Sequence, residues 1–197
     1  MPPVKAACIA ALAFISTAGQ AAAQTFQIEP VGPVLQGQPV AVRLIDLSPG
    51  TAVEISAERA FGRPSALYSA SARFVADGAG MVDLAAAVPL EGTYEGADAA
   101  GLFWSMTPTD RPVPENRMSG EVRLTARVGG DIVSEGATRL IGARADIMTE
   151  DIPGFPAAKL YRPSGDTPRP VVVVLHGADG GTGASERFGP KLASLGY

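Results

Sequence analysis

A chain of 197 residues that is 46% hydrophobic and carries a formal net charge of -4 has room for one large domain, or for a medium domain and part of another. Its 20 acidic residues against 16 basic ones argue against a polyanion-binding surface, so nucleic acid is excluded as a partner class. One histidine and one cysteine leave no cluster to hold zinc or iron, and neither a metal nor a cofactor is expected.

The chain opens with a targeting pattern at 1–23. Lys5 precedes an apolar run from Ala6 to Ile15, small and polar residues close that run, and Ala21-Ala22-Ala23 stands before Gln24. This order fits a secretory signal cleaved after Ala23. A membrane helix needs roughly twenty apolar residues, about twice what is present. The expected protein is therefore exported, periplasmic or secreted, with no membrane span once the signal is removed. Cys8 lies inside the run, too near the start to follow a complete lipidation signal, so the mature chain is expected to carry neither thiol nor disulfide.

From Thr25 to about Gly142, apolar and polar residues alternate in short runs separated by Gly, Pro, Asp and Ser, the pattern of half-buried antiparallel strands. Val40, Val42 and Leu44 share one face before the Leu47-Ser48-Pro49-Gly50 turn, and Val53, Ile55 and Ala57 share one after it. Further runs span Leu67–Ala76 and Met81–Ala86. A last pair, Val122–Val128 and Ile132–Ile141, is divided by Gly129-Gly130-Asp131, which predicts a tight hairpin. About seven strands over roughly 120 residues match an immunoglobulin-like β-sandwich, assigned to 24–144.

Residues 145–156, with their Asp, Glu, Pro and Gly, read as a linker. The pattern changes after it. Ala157–Arg162 predicts a strand, and Val171–Leu175 is an unbroken apolar run of the kind covered on both faces in a parallel sheet. A glycine-rich loop, His176–Gly183, leads into a helix predicted over Ser185–Leu195, with Phe188, Leu192 and Leu195 on one side. Residues 157–197 are thus expected to be the opening of an α/β domain, giving a mainly β chain with an incomplete second fold.

The most specific stretch runs from Gly92-Thr93-Tyr94-Glu95-Gly96-Ala97-Asp98 through Ala99-Ala100-Gly101-Leu102-Phe103-Trp104-Ser105-Met106. It resembles the G-x-Y-x-G-x-D-x-x-G-L-x-W-S-M signature in the N-terminal domain of the acyl-CoA thioesterase and bile acid-CoA:amino acid N-acyltransferase family. Asp46–Gly50 with Val53-Glu54-Ile55, and Phe74–Leu84, resemble segments that precede the signature in that family. The bland reading of the signature is a tightly folded loop, with Tyr94 and Trp104 as core anchors and Asp98 capping a turn. No residue of it is expected to be catalytic.

The resemblance implies an α/β-hydrolase in the C-terminal half, with a serine or cysteine nucleophile on a sharp strand-to-helix turn and an acid and a histidine later in the chain. The implied chemistry is acyl transfer from a thioester through an acyl-enzyme, completed by water or an amine. By the same resemblance, His176-Gly177-Ala178-Asp179 is the loop that donates to the oxyanion. Ala178 would provide the N–H, and Gly177 would let the backbone approach. His176 is the only histidine, yet in such hydrolases the base comes from the far C-terminal part. Gly177–Gly181 also fits G-x-nucleophile-x-G with Asp179 as nucleophile, but the order of elements argues against it. Ser185 and Ser194 lack flanking glycines and a second histidine.

Two functional expectations follow. In the first, the chain is a fragment of an exported thioesterase-like hydrolase whose substrate is an acyl thioester or ester, inactive alone because the triad lies beyond it. In the second, it is a non-catalytic exported sandwich that acts as a binding module.

Overall fold

The computed structural model describes residues 23–62, 64–175 and 182–197; all but the last residue of the expected signal, and the loop 176–181, lie outside them. In chain order the strands are β1 (Thr25–Glu29), β2 (Pro33–Leu35), β3 (Ala41–Ile45), β4 (Ala52–Phe61), β5 (Ala66–Val75), β6 (Val82–Asp83) and β7 (Glu91–Gly92). A single helical turn, α1 (Gly101–Trp104), precedes β8 (Thr107–Pro108), β9 (Glu121–Val128) and β10 (Asp131–Ile141). β11 (Ile147–Ile152), β12 (Phe155–Pro163) and α2 (Gly183–Ser194) follow. The protein is mainly β, as expected.

Two sheets share one core. The smaller has the order β1-β3-β6, and the larger runs β2-β10-β9-β4-β5-β7 with β8 also on β5. The alternation read from the sequence decides which side chains face inward. Val53, Ile55 and Ala57 of β4 and Val122, Leu124 and Ala126 of β9 are fully buried, in one cluster with Val42 and Leu44 of β3. Each valine, leucine or isoleucine among them contributes about 1.5–3 kcal/mol by leaving water. On the outer face the register sets Glu54 between Arg73 and Arg127, so opposite charges stand side by side across three strands. The β9–β10 connection is the expected hairpin: Val128 pairs with Asp131, and Gly129 and Gly130 take φ of 61° and 96°, as a two-residue turn of this hand requires.

The Met81–Ala86 run forms less strand than expected. Only Val82 and Asp83 join the ladder, because Asp83 turns the following chain back on itself. Its carboxylate accepts the Ala85 N–H at 3.0 Å and its carbonyl accepts from Ala86 and Ala87. The Ala85 N–H, followed by Arg43, holds the Asp83 carboxyl below the ordinary range, against the opposing effect of burial.

An ion cluster that no local pattern announced fastens the connection from β8 to β9. The Arg117 side chain is only 2% exposed; it reaches Glu58 Oε2 at 3.2 Å, the Glu58 carbonyl at 3.3 Å and Glu121 Oε1 at 3.9 Å. Arg111 takes the other oxygen of Glu58 at 2.5 Å, so β4 is clamped from two points of the same connection. Glu121 lies four residues from Arg117, but Glu58 is 59 positions away, and the pairing of β4 with β9 brings it to the same arginine.

The C-terminal segment departs from expectation in two places. Residues 147–152, within the stretch read as a linker, form β11, which pairs antiparallel with β12 from Ile147–Pro163 to Ile152–Phe155 around the Pro153-Gly154 turn. Polar side chains hid this strand, since a two-stranded ribbon open to solvent needs little apolar alternation. Val171–Leu175, expected as a strand, forms none; Val171 is 82% and Val173 is 73% exposed, as expected where residues 157–197 supply too few strands to cover the run. A covered strand requires neighbours to hydrogen-bond its backbone, and among the described residues none pairs with it. Helix α2 begins two residues earlier than expected and ends one earlier. It rests on β12, with the Tyr161 ring lying where a Cβ at Gly189 would stand.

Candidate functional site

Two places were singled out by the residues: the glycine-rich loop after the apolar run, and the Gly92–Met106 signature. Gly177 and Ala178, together with His176 and Asp179, lie outside the described residues. What borders them is defined. Thr182 Oγ1 and Glu186 Oε1 are 2.8 Å apart across the first turn of α2, where an acidic side chain also suits the positive end of the helix. Ser185 Oγ donates to the Thr182 carbonyl at 2.7 Å. Ser194 Oγ donates to the Pro190 carbonyl at 2.7 Å and accepts the Arg144 N–H at 2.8 Å. Both hydroxyls serve the backbone. Neither is bonded to a base, and no group of three or more His, Cys, Asp or Glu among the described residues is placed to hold a metal.

Beside α2 is a cavity of about 260 Å³, walled by β12, by the segment 165–174 and by the helix. Tyr161, Val171, Val172, Val174 and Leu192 give it apolar wall, mixed with polar wall from Lys159, Arg162 and Arg169. The two basic side chains of β12 that line it are already paired, Arg162 with Glu150 at 2.7 Å and Lys159 with Asp151. Asp151 raises the Lys159 pKa further, first through the hydrogen bond and then through its charge. Among the described residues β12 pairs with β11 on one edge only, so the cavity lies between an open strand edge and an unpaired apolar segment.

The signature is a roof over one end of the two-sheet core. It is held to β5 at both ends, by β7 against Ala72 and Arg73 and by β8 against Tyr68 and Ser69. Between these anchors α1 dips inward, and Leu102 and Tyr94 enter the same core as β4 and β5. Gly101 is required by this packing, because a Cβ there would collide with the Tyr94 ring. The Tyr94 hydroxyl is buried without a hydrogen bond among the described residues. Burial, then the Asp98 charge, raises its pKa.

Asp98 does what was expected and more. Its Oδ1 accepts the Ala100 N–H at 2.8 Å, capping the turn before α1, and its Oδ2 accepts the Trp104 indole N–H at 2.8 Å. The indole, then the Ala100 N–H, keeps the Asp98 carboxyl below the ordinary carboxylate range. Trp104, however, is not the core anchor expected of it. Its ring stands edge-on to Tyr94 with centroids 6.2 Å apart and is 62% exposed. The four-residue turn can point only one side of itself into the core, and Leu102 takes that side. Tyr94 and Leu102 bear the packing, while Asp98 and Trp104 form a fixed outer face.

Residues 37–129, which hold β3 through β9 and one residue beyond, and with them the whole signature, match the acyl-CoA thioester hydrolase/BAAT N-terminal region. The mouse protein acyl-coenzyme A thioesterase 3 is 30% identical over 187 residues, covering 89% of this chain and 42% of its own length. Mouse peroxisomal succinyl-coenzyme A thioesterase is 28% identical over 171 residues, 81% of this chain and 40% of its own. Human acyl-coenzyme A thioesterase 1 is 34% identical over 86 residues, 44% of this chain and 20% of its own. The chain thus spans at most 42% of the length of these relatives. With the signature folded as one roof inside the matched region, the chain belongs to the acyl-CoA thioesterase/BAAT family.

Proposed function

We propose that this chain is the N-terminal part of an exported thioesterase-like hydrolase. An immunoglobulin-like sandwich at 24–144 would lead through 145–156 into the opening of an α/β-hydrolase domain at 157–197. One observation carries the reading: the signature lies in a region shared with acyl-CoA thioesterases that continue well beyond the part aligned here. The succession of β12, apolar run, glycine-rich loop and α2 supports the second domain.

In this reading the nucleophile, acid and histidine come from sequence beyond the chain. The thioester or ester carbonyl is attacked by the nucleophile as the histidine takes its proton, the thiolate or alkoxide leaves with a proton, and water or an amine then removes the acyl group. The Ala178 N–H stabilises the oxyanion, an interaction worth about 3 kcal/mol to the transition state, and Gly177 admits the substrate to it. An exported member meets acyl esters and thioesters of its own compartment, so the substrate class is an acyl thioester or ester.

The test is direct. The chain from Gln24 to Tyr197 should turn over neither acyl-CoA nor p-nitrophenyl esters above background. A reading frame extended with a G-x-S-x-G or G-x-C-x-G turn, an Asp and a His should do so until its nucleophile is replaced by alanine. Turnover by the short chain that disappears in His176→Ala or Asp179→Ala would overturn the proposal. The second reading, a non-catalytic exported binding module, draws on the backbone-bound hydroxyls of Ser185 and Ser194 and gains if no such extension exists.

A further inference from the structure

Trp104 is the only tryptophan in the chain, and its position is set from within. Its single polar group, the indole N–H, is committed to Asp98 Oδ2, and Asp98 is in turn held by the Ala100 N–H. Beneath it, Leu102 is fully buried and Tyr94 stands edge-on to the indole. An exposed aromatic ring that needs no ordering when a partner arrives keeps more of its contact energy as affinity. What the ring still offers is an apolar face bordered by a carboxylate.

Charge complementarity decides what fits there. Asp98 accepts two N–H dipoles, but no ion pair among the described residues includes it or the exposed Glu95, three residues before it. Glu91, on β7 where the roof begins, is engaged by Arg73 at 3.3 Å. An anionic group such as a phosphate is repelled from this edge. A wholly apolar surface would strip water from the Asp98 carboxylate without replacing it. A planar cation satisfies both demands, because a guanidinium stacks on an indole face and its N–H groups bond a carboxylate at the ring's edge.

We propose that the Trp104–Asp98 face is an interaction surface for a protein partner that presents an arginine side chain, stacked on the indole and bonded to the open lone pairs of Asp98. The site lies wholly on the two-sheet unit, and it requires that the hydrolase domain proposed above leave this face uncovered.

Trp104 itself reports on the experiment, as no other tryptophan contributes emission. The chain from Gln24 to Tyr197 is titrated with an acetylated hexa-arginine peptide, and with hexalysine and hexaglutamate peptides of equal length. Expected are a saturable change in Trp104 emission with the arginine peptide, no change with the glutamate peptide, and binding roughly tenfold weaker with lysine, which lacks the planar fork. Asp98→Asn keeps an oxygen for the indole N–H and removes the charge; it should weaken the arginine peptide by about tenfold, while the loss of the charged hydrogen bonds lowers the melting temperature only slightly. If that variant melts early, calorimetric titration of Trp104→Phe against Trp104→Ala decides. The phenyl ring should retain part of the binding and alanine none. Equal responses to lysine and arginine, an undiminished response in Asp98→Asn, or no saturable response overturns the proposal. So does a monomer–dimer equilibrium in sedimentation that Trp104→Ala abolishes, which would give the face to a second copy of the chain.

Discussion

Between Thr25 and Ile141 the apolar runs of β3, β4, β5 and β9 find partners within the chain, whereas between Ala143 and Tyr197 the strongest one, Val171–Leu175, does not. Val53, Ile55 and Ala57 are fully buried because β5, β9 and the small sheet surround them. Val171–Leu175 is more apolar per residue, yet it stands largely in water. Hydrophobicity fixes how much a segment gains from cover. Whether cover exists depends on the rest of the chain.

Stability measurements sharpen this contrast. In urea, Phe74→Ala, which empties a fully buried aromatic site, should cost about 3–5 kcal/mol and shift the transition of the two-sheet unit as a whole. Val173→Ala removes an apolar group from the exposed run and should change stability by no more than about 0.5 kcal/mol. Equal losses at the two sites would show that the run is covered in solution.

Gly101→Ala lies between these in size. The added methyl meets the Tyr94 ring, so either α1 lifts or the ring moves, at a cost of about 1–3 kcal/mol. The loss should be recovered in part by Tyr94→Leu in the same chain, checked by a double-mutant cycle on urea midpoints. Failure of that rescue would mean that the roof is not packed through this pair.

Sequence patterning was most legible where its period matched a sheet with one buried face. β3, β4, β5, β9, the Gly129-Gly130 turn and β10 could all be placed from alternation and turn chemistry alone. Asp98 as a turn cap was legible for the same reason, since its partner N–H is two residues away. β11 was not, because its six residues, Ile147-Met148-Thr149-Glu150-Asp151-Ile152, form a solvent-facing ribbon held by pairing with β12 and by the Arg162–Glu150 and Lys159–Asp151 bridges. The exposed position of Trp104 was also hidden. Tryptophan favours burial on average, and only the geometry of α1 reveals that Leu102 occupies the inward side. Gly177 and Ala178 are legible as a sequence pattern alone.

The smallest effect is one of pH. Asp98 has a folded pKa below its ordinary value of 3.8, so the stabilisation it brings is complete above that value and is lost as pH falls through the lower, folded one. Trp104 emission followed by acid titration should therefore change with a midpoint under 3.8. A midpoint above it would mean that the indole does not bond the charged carboxylate, and would separate the roof's outer face from its buried one.

The pairing of β2 with β10 has a kinetic consequence. β2 is short, and its neighbour in the large sheet is the last strand of that sheet, aligned parallel so that Pro33 meets Arg139 and Leu35 meets Ile141. Val34, a buried core residue, thus waits for a segment more than a hundred positions later, roughly, before its strand is in place. Contacts of such sequence separation close late and slowly, because the loop entropy is lost before the contact is gained. Until Ile141 is available the large sheet has a vacant edge and the core an open side. Under the export proposed above, that delay is useful to any channel that passes the chain unfolded, because Val34 takes its place in the core only when the final large-sheet strand has come through.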